Sequence, residues 1–137
     1  MRPSDLPSAH LRRDAPADPL EALRPLIDVR IGRASTGGND VLYRRLLRMF
    51  CRGQRDAVGQ FTAALQADDL KAAVRVMHNL RTIAASLGMP ELAQASRALE
   101  LACADAPGEA MVLDPLIAAV SRDLTRVLDG LDTISLD

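Results

Sequence analysis

Aromatic side chains are scarce in this chain: two Phe, one Tyr and no Trp, 2% of the residues. β-Branched residues are scattered rather than clustered, so the usual material of a sheet is missing. A Leu- and Ala-rich composition favours helices packed on helices instead. Charge of one sign is also lacking, since 17 Lys and Arg stand against 18 Asp and Glu, for a net charge of −1. Non-specific nucleic-acid binding needs a strong positive excess, and this balance argues against it. Cysteine is limited to Cys51 and Cys103, with no CxxC or Cys/His spacing. Both read as small core residues of a reduced, cytosolic protein. No apolar run approaches a membrane span, and the N-terminus lacks the hydrophobic region of a signal peptide. The expectation is a cytoplasmic protein with no nucleic-acid partner and no direct membrane insertion.

What is present is helical punctuation. The 137 residues are 48% apolar, which suits one domain with a single core. Residues 1–18, "MRPSDLPSAHLRRDAPAD", carry Pro3, Pro7 and Pro16 without hydrophobic period and read as a disordered tail or linker. His10 inside it reads as a solvated residue. The domain proper is then 19–137. Pro19 to Arg30 reads as a short helix or two fragments interrupted by Pro25, and "STGG" breaks the chain. Asn39 or Asp40 is a good N-cap for a helix starting there. From Val41 to Gln66 apolar residues recur at helical spacing, predicting one long helix that Gly53 and Gly59 weaken without ending. Asp68 or Asp69 caps a second long helix over Leu70–Leu87, which Gly88 stops. Pro90 opens a third, reaching about Ala104, and Asp114-Pro115 looks like the start of the last. Short connections make neighbours antiparallel. The predicted fold is therefore all-α, an antiparallel up-down four-helix bundle with an additional short N-terminal helix.

One of the two histidines, His78, lies in the second long helix. Residues on a helix turn by about 100°, so its direction can be read from spacing. Leu70, Ala73, Met77, Leu80, Ala84 and Leu87 share one face, which is the core. His78 sits on the flank of that stripe, beside Lys71, Val74, Arg75, Arg81, Thr82 and Ala85. A core histidine would occupy the Met77 or Leu80 position. A metal ligand would want a His, Cys or carboxylate one turn away. Those positions hold Val74, Arg75, Arg81 and Thr82 instead, and two cations repel a metal. An accessible imidazole beside basic side chains suits an anion, a phosphoryl group first among them. The competing reading is an ordinary solvated histidine, and the residues alone leave both open.

The segment His78-Asn79-Leu80-Arg81-Thr82-Ile83-Ala84-Ala85-Ser86-Leu87-Gly88 resembles the signature of the histidine-containing phosphotransfer (Hpt) domain family. That signature is His-x-Leu-Lys-Gly-x-(small)-x-x-Leu-Gly on the second long helix of a four-helix bundle. "LQADDLKAAVRVMH" resembles the usual approach to the histidine. "LIDVRIGRASTGGNDVLYRRLLRMF" looks like the lead-in of Hpt domains at the C-terminal end of hybrid sensor kinases. The resemblance runs from about Leu26 to Leu131. Two positions depart from the pattern. Arg81 replaces the family's Lys and keeps a charge with a fork of donors. Thr82 replaces a Gly that leaves room for a docking partner, which points equally to slower transfer, altered partner choice or a degenerate domain.

The resemblance implies a phosphocarrier without kinase activity of its own. His78 would be the phosphoacceptor and Arg81 a contact to the phosphoryl oxygens. Counting in the family's register, Glu100 would orient the imidazole by accepting from Nδ1, leaving Nε2 as nucleophile. Partners would be response-regulator receiver domains, docking over Lys71, Val74, Arg75, Thr82 and Ala85 together with residues of the first long helix. The chain would need no cofactor of its own; Mg²⁺ would come with the receiver, and no metal site or nucleotide loop is expected here. Such a domain also fits tethering to a hybrid sensor kinase whose parent protein is membrane-anchored. Two other readings stand beside this one: an Hpt-shaped adaptor that binds a receiver or kinase without accepting phosphate, and a helical dimerisation module. The last finds no sustained heptad seam in the first helix.

Overall fold

The computed structural model describes residues 18–106 and 108–136. The expected tail over residues 1–18, with His10, lies outside these apart from Asp18. Every regular element among the described residues is helical. A 3₁₀ turn, Pro19–Leu23, precedes α1 (Val29–Ser35), α2 (Asp40–Gly53), α3 (Ala57–Gln66), α4 (Leu70–Leu87), α5 (Pro90–Asp105) and α6 (Ala110–Asp132). Pro25 does separate two short N-terminal pieces, as its fixed geometry predicts.

The helix starts reflect local chemistry. Asn39 Oδ1 accepts from the Leu42 amide at 3.0 Å, and Asp69 Oδ1 accepts from the Ala72 amide at 3.1 Å. Each satisfies an amide that the first helical turn leaves unpaired. Pro90 stands in the first turn of α5, where its missing N–H removes nothing.

Two boundaries differ from expectation. The stretch Val41–Gln66 is two helices, parted at Gln54–Asp56. Gly53 to Asp56 puts no apolar side chain on the core, so nothing offsets the glycine's cost of about 1 kcal/mol. Arg55 instead reaches Asp132 at the end of α6, with Nη2 3.0 and 3.2 Å from its two oxygens. The last helix begins at Ala110, so Pro115 lies inside it rather than opening it. Leu113, buried before the proline, extends the apolar stripe by a turn and draws the helix back with it. The carbonyl that Pro115 cannot serve belongs to Met111, which is 93% exposed and within reach of water.

The core is the stripe read from the sequence. Ala73, Met77, Leu80, Ala84 and Leu87 of α4 are buried, with Leu70 half-buried at its start. Helix α4 packs on α1, α2, α3 and α5, most extensively on α5. Its C-terminal end is also fixed from outside. Gly88 has φ +84°, and a Cβ there would stand 2.1 Å from the Asp28 carbonyl oxygen. The Asp28 amide donates to the Gly88 carbonyl at 2.6 Å, and Tyr43 Oη donates to the Leu87 carbonyl at 2.8 Å. Burial pushes the Tyr43 hydroxyl up to about 12, so it remains a donor at any ordinary pH. A Cβ on Gly32 would fall 2.2 Å from the Tyr43 ring, so only glycine lets α1 lie over that ring.

Candidate functional site

The tight α4–α5 pairing sets His78 beside Glu100. Helix spacing puts His78 one residue past the buried Met77, on the flank, and its side chain is 52% exposed. Glu100 comes after the buried Leu99 on α5 and is only 15% exposed. His78 Nδ1 and Glu100 Oε2 are 3.0 Å apart. Arg81, one turn beyond His78, donates from Nε to Glu100 Oε1 at 2.7 Å, and its Nη2 lies 2.9 Å from His78 Nδ1. Burial raises the pKa of Glu100, but the hydrogen bonds from Arg81 and His78 outweigh it and leave the carboxyl below its ordinary range. Glu100 is therefore an ionised acceptor at neutral pH. The protein engages the imidazole through Nδ1, on a ring half open to solvent.

The Hpt domain model matches residues 45–132, which contain this whole group. The chain belongs to the Hpt domain family. No curated protein and no solved structure matches it. The match opens within α2 and closes at the end of α6, so most of the lead-in from Leu26 precedes it. Membership implies histidine phosphotransfer in two-component signalling, through interaction with receiver domains.

The structure brings three of the expected residues of this Hpt domain together and leaves the others apart. His78, Arg81 and Glu100 form one hydrogen-bonded group. Thr82 turns its hydroxyl onto its own helix, donating to the His78 carbonyl at 2.9 Å. Lys71, Arg75 and Ala85 are exposed and Val74 is half-buried against the core, none of them within the His78–Arg81–Glu100 group. Among the described residues no three His, Cys, Asp or Glu side chains cluster as a metal site would need. No described helix is long and apolar enough to cross a membrane.

Beside Thr82 lies a groove of about 360 Å³. Leu46, Met49 and Gln54 form one wall, and Thr82, Ile83 and Ser86 of α4 the other. Leu46, Met49 and Gln54 belong to the stretch predicted as the first long helix, whose docking residues the sequence reading left unidentified. Met49 had a signal, since it is apolar yet falls off the Tyr43–Leu47–Phe50 stripe, and it is 54% exposed. Cys51 is half-buried and Cys103 buried, both free, and burial pushes both thiols up. Neither thiol is primed for chemistry.

Proposed function

We propose that this Hpt domain is a phosphorelay intermediate, taking a phosphoryl group from a receiver-domain aspartate onto His78 and passing it to a second receiver. Nε2 attacks the phosphorus in line. The N–P bond forms as the P–O bond to the aspartyl carboxylate breaks, and the carboxylate leaves with its electron pair. The loose transition state asks mainly for position and charge. Glu100 orients the ring through Nδ1, and Arg81 supplies donors to the phosphoryl oxygens. Mg²⁺ belongs to the receiver, and the chain has no kinase activity of its own. Lys71, Val74, Arg75, Thr82 and Ala85, with Leu46 and Met49 across the groove, form the docking face.

The observation that carries this reading is the half-exposed imidazole backed at Nδ1 by a largely covered, ionised carboxylate. The same reading takes the long helices as an antiparallel up-down four-helix bundle preceded by a short N-terminal helix. It takes residues 19–137 as the domain and 1–18 as a tail, through which the domain is tethered to a hybrid sensor kinase on the cytoplasmic side.

Thr82 favours a second reading, because an exposed β-branched side chain replaces the family's glycine beside the groove. In that reading the domain is an adaptor that binds a receiver or kinase without accepting phosphate. Receivers charged on Asp, mixed with wild type and with His78→Gln, separate the two. Acid-labile, base-stable label on the wild type alone establishes the relay. Binding by both proteins, with label on neither, establishes the adaptor.

A further inference from the structure

The arginines of α2 fall into two sets. Arg44 is tied to Asp18 and Asp40, and Arg48 donates to the Leu136 carbonyl. Arg45 and Arg52 are exposed, and neither has an ion-pair or hydrogen-bond partner among the described residues. Arg45, Met49 and Arg52 are four and three residues apart, so their side chains form one row on the outer face of the helix. Two helical turns, about 10.5 Å, separate the cations, with the exposed methionine between them. Met49 is also a wall of the groove, and α4 supplies the facing wall. There the Thr82 hydroxyl commits its hydrogen to the His78 carbonyl at 2.9 Å. The threonine therefore brings no free donor to a groove whose other lining includes Leu46, Phe50 and Ile83.

We infer that this groove chooses among receivers, taking one whose docking helix carries an aliphatic side chain with a carboxylate one turn to either side. Laid along α2, such a helix sets its aliphatic group against Met49 and the Thr82 methyl while its two carboxylates meet Arg45 and Arg52. The four-and-three spacing on one helix is answered by the same spacing on the other. Each guanidinium offers a planar fork that fits a carboxylate, so the row fixes register as well as charge. Exposed ion pairs add little affinity singly, and what the row supplies is choice of partner. A helix with lysines at those places meets two unpaired cations and is turned away. Thr82 sets the apolar part of the choice. Its methyl narrows a seat that a glycine would leave wider, so a position where the family keeps room is here shaped for one kind of side chain.

The inference rests on the proposed docking of receivers, and its test separates the two. Unphosphorylated receiver domains are titrated with the full chain, and the tightest binder is followed through the variants, all of them at exposed positions. Arg45→Glu combined with Arg52→Glu should weaken that binding about tenfold, and lysines in place of the receiver's two facing carboxylates should restore it. Thr82→Ser should weaken binding about fourfold more than Thr82→Val does, since only the serine loses the methyl. Binding indifferent to the double reversal, a lysine-bearing receiver that restores nothing, or a serine variant no weaker than the valine overturns the inference. If the expected pattern appears and no receiver labels His78, the choice of partner holds and the relay reading falls. If His78 is labelled while binding ignores these variants, the relay reading holds and the choice of partner falls. If no receiver binds, both fall.

Discussion

Glu100 serves two donors from a site that is mostly buried, and the cost of ionising it there is met only while both are in place. Its pKa is held below the ordinary 4.5, so the folded state binds the Glu100 proton less readily than the unfolded chain does. A depressed carboxyl stabilises the fold above its unfolded value, and that contribution disappears as pH falls through the folded value. Wild type should therefore exceed Glu100→Gln in unfolding free energy by about 1 to 3 kcal/mol at neutral pH. The gap should close as the solution is acidified below 4.5. Paired denaturant titrations across that range check it, and a gap that widens in acid contradicts the assignment. At this scale the sequence was partly readable. A histidine on the flank of an apolar stripe and a glutamate at the right register are visible as spacing. The bond between Arg81 and Glu100 is not, because it joins two helices and depends on which rotamer a long side chain adopts.

Among the elements, α4 was the most legible and the joint between α2 and α3 the least. Leu70 to Leu87 keeps strict helical period, is capped by Asp69 and ends at Gly88, so local preference and tertiary packing agree. At Gly53–Asp56 the period on both sides stays in phase, and only the missing apolar contacts of four residues mark the break. Pro115 misled for the opposite reason, since a proline suits a helix start yet is tolerated inside one where the orphaned carbonyl faces water. Gly88 permits a sharp prediction for the end of α4. An alanine there must hold φ near +84° and place its Cβ against the Asp28 carbonyl oxygen. Gly88→Ala should lower unfolding free energy by about 2 kcal/mol or more, with most helical signal retained. Thermal and denaturant melts decide this, and an unchanged midpoint would show that the α1–α4 junction yields freely.

For the molecule as a whole, the groove between the α2 and α4 walls adjoins the helix face that carries His78 and Thr82. Met49 is the exposed apolar residue on its rim and takes no part in the hydrogen bonds of the His78–Arg81–Glu100 group. Met49→Asp should weaken binding of a cognate receiver about tenfold or more by placing a charge in an apolar contact. The rate of transfer within the bound complex should change little. Titration of receiver binding combined with single-turnover transfer separates the two effects, and a slower bound-state rate with unchanged affinity would remove the groove from the docking face. Helical class and core were legible from composition and period, whereas a surface assembled from two helices distant in sequence has no linear signature.

Helix α4 is hemmed in by four other helices and fastened at its C-terminal end through Gly88 and Leu87. A rod so confined has no alternative berth, so on the proposed phosphocarrier role gain or loss of a phosphoryl group at His78 would alter the local charge and leave the backbone where it was. Whatever distinguishes the loaded from the empty domain must then be read at its surface by contact, at short range, by a partner that comes to touch it.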